Sequence, residues 1–162
     1  MMETAFEIRT EPLRSHLAAL LSSESAHTSF DAAVADLPVD LQGKQVPGAA
    51  HTVWQVLEHM RITQRDVLNR IGSADYRPLK FPDEYWPPSA APRKNESWDA
   101  SVAAFRADQK SLAEVIARAD LFGKSRPGAD GALIDDLLMI VDHNAYHLGE
   151  LVLLRRLLAV WN

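Results

Sequence analysis

The chain contains no cysteine. That removes disulfides, thiolate metal ligands and any protein thiol nucleophile, and it fits a reducing cytoplasm, the expected location. Long apolar runs are missing as well. The richest stretch, LGELVLLRRLLAVW, is broken by Glu150, Arg155 and Arg156, and the opening residues MMETAFEIRTEPLR have no apolar signal core, so no membrane span is expected. Basic charge is scarce and scattered: 17 Lys and Arg stand against 22 Asp and Glu, a net charge of −5. A nucleic-acid backbone needs a basic face, which argues against that partner. There is no G-x-S-x-G elbow, no Gly-rich phosphate loop, no H-E-x-x-H, no internal repeat and no low-complexity tract.

What remains is helical periodicity. At 162 residues the chain is long enough to bury a core without staples, and a single domain over residues 1–162 is expected. Thr10 followed by Pro12 reads as a helix start, with Leu13, Leu17, Leu20 and Leu21 on one face and a break at residues 22–25. A short segment opens at Ser29 and is stopped by Pro38. Thr52 and Gln55 match a capping box, and Val53, Val56, Leu57, Met60, Val67, Leu68 and Ile71 mark a helix ended by Gly72. Residues 73–97 hold Pro78, Pro82, Pro87, Pro88 and Pro92, which disfavours helix there. The same stretch carries Tyr76, Phe81, Tyr85 and Trp86, too aromatic for a disordered linker, so it reads as an ordered crossover strapped across the helices.

Ser97 is placed to cap a third long helix, with Trp98, Val102, Phe105, Leu112, Val115 and Ile116 inward. The last helix runs from near Ala132 to about Leu158, with more apolar residues than one narrow stripe needs, so some are expected to face a partner subunit. The fold class that follows is an all-α four-helix bundle with one long crossover between its second and third long helices.

His143 and His147 stand four residues apart on the last helix, on the face of Ile140, Leu151 and Leu154; His59 stands mid-helix in the earlier segment. Two imidazoles one turn apart can chelate one ion, and a third from a facing helix completes three-point ligation with an open position. Two readings stay open on the residues alone: ligands of one ion, or hydrogen-bonded core histidines. Glu150, a turn beyond His147, reads as a fourth ligand, an acceptor orienting a ligand, or a general base; the alternative is a partly solvated carboxylate near Arg155. Asp136 is a weaker candidate for orienting His143. Glu58 and Asp142 read as surface charges, His16, His27 and His51 as lacking companions, and Trp86 as an anchor of the crossover or a cover of the site.

The segments HTVWQVLEHMRITQRDVL, DEYWPP with ESW, and DHNAYHLGELVLLRR, with ESAHTSFDAAVADLP near the start, resemble the DinB-like (damage-inducible B, YfiT-like) superfamily over nearly the whole chain. The resemblance implies an up-down-down-up bundle, often homodimeric, and a divalent metal held by three histidines, here His59, His143 and His147. Relatives often carry glutamine where this chain has Glu150. Characterised relatives include transferases and isomerases that use low-molecular-weight thiols. The resemblance therefore implies a metal-dependent S-transferase acting on a small-molecule substrate with a low-molecular-weight thiol. From the residues themselves, imidazole ligands suit zinc, nickel or iron alike, and the close alternative is a hydrolase with Glu150 as catalytic proton acceptor. The alternative is a non-catalytic, dimeric metal-binding or stress-related bundle.

Overall fold

The computed structural model describes residues 2–22, 26–93 and 95–161, and the side chains within them except those of residues 2–9 and 95–97. Among the described residues helical periodicity becomes five α-helices: α1 Met2–Ser22, α2 Phe30–Val34, α3 Val53–Gly72, α4 Asn95–Arg118 and α5 Leu133–Leu157, with a 3₁₀ turn at Val39–Leu41. Among the described residues there is no strand, only an isolated bridge between Lys124 and Ala132.

Most boundaries follow from capping chemistry. Ser29 Oγ accepts from the Ala32 N–H at 3.1 Å and opens α2. At α3 the Gln55 N–H donates to Thr52 Oγ1 at 3.2 Å, while Gln55 Oε1 takes the Thr52 N–H at 3.0 Å, the reciprocal box expected. Helix α5 starts where Asp135 accepts from the Ala132 N–H at 3.0 Å. Two starts differ from the sequence reading. Helix α1 runs through Pro12 instead of beginning beside it, although an interior proline removes one backbone bond and crowds the preceding turn. Helix α4 begins at Asn95, so Ser97 lies inside the helix, its side chain outside the described residues; of the break expected at 22–25, Ser22 is the last residue of α1 and 23–25 fall outside the described residues.

Cross-helix contacts set the directions. Residues 54, 64 and 65 of α3 meet 98, 105 and 108 of α4, ascending together. Residues 59, 64 and 70 of α3 meet 147, 144 and 136 of α5, in opposite order. Arg14 of α1 reaches the Ile116 and Ala119 carbonyls, whereas Gln109 of α4 reaches Leu21, again opposed. Helices α3 and α4 therefore run one way and α1 and α5 the other, which is the order up-down-down-up.

The core is two apolar clusters. One gathers Phe30, Val56, Leu57, Met60, Phe105, Leu148, Leu151 and Leu154, with the Phe30 and Phe105 rings stacked at 4.0 Å. The other gathers Leu17, Leu21, Val67, Leu112, Ile116, Leu137 and Ile140. Between them lies a polar layer in which Asn144 Nδ2 donates to Gln64 Oε1 at 2.9 Å and Gln64 Nε2 donates to the Phe105 carbonyl at 2.8 Å. Each fully buried Leu or Phe is worth about 1.5–3 kcal/mol, against about 0–1 for an exposed ion pair such as Arg106–Asp31, so the clusters carry the stability.

Burial departs from the sequence reading at four places. Leu20 is half-exposed, not inward, and Phe81 is 79% exposed rather than strapped to the bundle. Glu58 is buried and forked with Arg61 at 2.8 and 2.9 Å, not a free surface charge. Arg155 is buried far from Glu150's partners: Nη1 donates to the Ala33 and Ala35 carbonyls at 2.8 and 2.7 Å, and Nη2 to Val160 at 3.1 Å. It closes the C-terminal end of α2, where exposed carbonyls favour a cation. No described helix is long and apolar enough to cross a membrane.

Candidate metal centre

Helix α5 carries His143 and His147 one turn apart, beside buried Ile140, Leu151 and Leu154, and α3 brings His59 across from them. The ring centroids lie 4.5 Å (His143–His147), 4.9 Å (His59–His143) and 4.6 Å (His59–His147) apart. One ligand nitrogen from each ring lies within 4.8 Å of the others, close enough for one metal ion. His59 and His147 are buried at 6% and 7% exposure, and His143 is half-buried.

Hydrogen bonds behind the rings decide which nitrogens face the centre. His59 Nδ1–H donates to the Tyr85 carbonyl at 2.8 Å, which leaves a lone pair on Nε2. His147 Nδ1–H donates to Glu150 Oε2 at 2.8 Å, with the same result. His143 Nε2 faces His59 Nε2 at 3.0 Å, and its own Nδ1 is buried without a partner among the described residues. Two ring nitrogens this close repel unless a proton or cation sits between them. Neutral imidazoles backed by a carbonyl and a carboxylate are the donor set of zinc, nickel or iron sites, so the residues fit a divalent ion.

The electrostatics agree. Burial lowers the His59 pKa, against the opposing effect of its bond to Tyr85. Burial, then the neighbouring imidazoles, lower His143 to about 4. Both rings are neutral at neutral pH. The hydrogen bond from His147 holds the Glu150 carboxyl below its ordinary range despite partial burial. Three imidazoles with a carboxylate one step back favour a cation.

Of the sequence candidates, the structure brings together His59, His143, His147 and Glu150. Glu150 takes the orienting role and does not converge on the centre as a fourth ligand. Asp136 does not reach His143; it pairs with Arg70 at 3.3 Å. His27 and Asp142 are exposed, and His16 bonds the Pro12 carbonyl of its own helix at 2.9 Å. His51, in contrast, has companions. Its ring stacks on Trp86 at 3.7 Å, and Trp86 stacks on His59 at 3.9 Å and 3°. His51 Nδ1 also lies 4.0 Å from Glu150 Oε1. Trp86 thus covers one face of the site and is itself covered by His51. The sequence reading gave Tyr85 and Asp66 no part in the site: Tyr85 acts through a backbone carbonyl, and its phenol donates to Asp66 at 2.7 Å.

Fold and site together define a helical-bundle protein with three histidines gathered for a metal ion. The family model of the DinB superfamily matches residues 23–151. The chain belongs to the DinB superfamily. No curated protein and no solved structure was found to match it.

Proposed function

We propose that this protein is a divalent-metal-dependent enzyme, an S-transferase using a low-molecular-weight thiol or a hydrolase, acting in the cytoplasm. His59, His143 and His147 would hold the ion, which when bound supplies Lewis acidity that brings a water or thiol toward deprotonation near neutral pH. The observation that carries the reading is the tautomer arrangement: Tyr85 and Glu150 take the Nδ1 protons of His59 and His147, so both Nε2 atoms are free to ligate. With no cysteine in the chain, a reacting thiol has to arrive as cosubstrate. Glu150 Oε1, turned toward His51, is the atom in position to take up a proton at the rim. Trp86, stacked on the His59 ring, would shield that side from water.

Engagement of Glu150 with His147 favours an open coordination position, the mark of catalytic sites. The burial of His59 and His147 favours the competing reading, a structural ion in a non-catalytic bundle. Exposed Leu138, Met139, Tyr146, Leu153 and Leu157 on the outer side of α5 support a homodimer, which sedimentation as a monomer would refute.

Metal analysis of untagged protein tests the reading. Wild type should carry about one equivalent of metal and His143→Ala should lose it. Thiol-transfer and hydrolase screens of the loaded protein then separate the enzyme from the structural-ion reading. Metal absent from both proteins, with no uptake of zinc or nickel, would sink the proposal.

A further inference from the structure

Asp66 lies seven residues beyond His59 on α3, about two turns, and is 5% exposed. Its carboxylate accepts from the Tyr76 phenol at 3.0 and 2.9 Å and from the Tyr85 phenol at 2.7 Å. Both tyrosines belong to the crossover, outside any helix. Burial first, then the bond to Asp66, pushes both phenols above their ordinary pKa, so they remain donors. Tyr85 is held at two points: its phenol by Asp66, its carbonyl by His59 Nδ1–H at 2.8 Å. The next residue, Trp86, lies flat on the same imidazole. Everything that fixes the tautomer and one face of His59 comes from these two crossover residues, and the crossover is fastened at this point to Asp66.

We infer that Asp66 is a positioning residue for the metal centre. Through Tyr85 it docks the crossover where the crossover orients His59, so docking and metal binding form one coupled equilibrium. The inference rests on the metal-centre reading above. Without the Tyr85 carbonyl, the His59 proton is free to move to Nε2, and a protonated Nε2 has no lone pair to give a metal. Coupling of this kind is reciprocal: whatever affinity docking adds to the metal, the metal adds to docking.

Two readouts test this, with cobalt(II) alone as the probe. Asp66→Asn and Tyr85→Phe should weaken cobalt binding about 10–100-fold and alter its d–d absorption, the usual range for losing a group that orients a ligand. Tyr76→Phe removes a phenol from the same carboxylate without touching the residue that holds His59, and should bind as wild type does. In unmutated protein, cobalt should slow trypsin cleavage after Lys80, which is exposed between the two tyrosines. Cobalt bound by Tyr85→Phe as tightly as by wild type would overturn the inference. Equal weakening by Tyr76→Phe and Tyr85→Phe would do the same, because the tyrosines would then only brace the crossover. Lys80 cleavage unchanged by bound cobalt also overturns it, with no dependence on whether a variant folds. Wild type that takes up no cobalt sinks the metal-centre reading itself, a distinguishable failure.

Discussion

At position 150 the charge matters as well as the hydrogen bond. A carboxylate accepting from His147 Nδ1 makes the ring a stronger donor than a neutral amide would. Glu150→Gln keeps an acceptor but loses the charge, and should bind zinc more weakly in competition with a chelator; Glu150→Ala should lose about 10–100-fold. Equal affinity in all three proteins would show that Glu150 does not act on the metal centre. The buried rings also make acid destabilising. His143 has a folded pKa of about 4 against an ordinary 6.5, so between those values the unfolded chain binds more protons. Stability of the metal-free protein should therefore fall as pH drops from 6.5 toward 4, with His59 acting in the same direction and Glu150 adding to it only below 4.5. Urea midpoints across that range should slope less in His143→Gln, and an unchanged slope would refute the assignment. Two of the three histidines were legible because helical spacing puts them on one face; the family resemblance joined His59 to them. His51 was not: its companion is an indole from a distant loop, and periodicity says nothing of loops. Asp66 falls on the His59 side of the helical wheel, yet its phenol partners lie in that same loop.

Among the elements, α3 was the most legible, because its capping box and terminal glycine are local chemistry. Thr52 does more than cap. Its hydroxyl also donates to the Ala90 carbonyl at 2.6 Å, tying the end of the crossover to the start of the helix. Thr52→Ala should cost about 0.5–2 kcal/mol in denaturant unfolding, as loss of a cap does. A change near zero would show that the cap is replaced by solvent. Helix α2 depends on a residue more than a hundred positions away. Removing the Arg155 guanidinium takes the donor from the buried Ala33 carbonyl, at about 1–3 kcal/mol, so Arg155→Met should destabilise by about that much. Arg155→Lys should not restore it, because an ammonium lacks the planar fork that reaches several carbonyls. Full rescue by lysine would contradict this account. Sequence alone could not assign Arg155 this role, since its partners are backbone atoms of an element too short to announce itself by periodicity.

For the molecule as a whole, the count of long helices and the long crossover followed from periodicity and proline placement. Helix direction did not, because an apolar face looks the same read either way; the family resemblance supplied it, and the cross-helix contacts bear it out. The layer of Gln64 and Asn144 between the apolar clusters has its largest effect here. Leucines recurring every turn or two would let α5 slide along α3 and still bury most of its surface. Two amides facing each other accept only one alignment. Replacing both with leucine removes the two facing amides together but takes the Gln64 donor from the Phe105 carbonyl, so unfolding stability should fall by no more than about 1–3 kcal/mol. The same variant should nevertheless bind metal poorly, because the buried amide contact that keeps His143 and His147 level with His59 is then gone. Gln64 and Asn144 thus work as a key cut to one position, and it is that alignment, more than the strength of the core, that lets three imidazoles from two helices meet at a point.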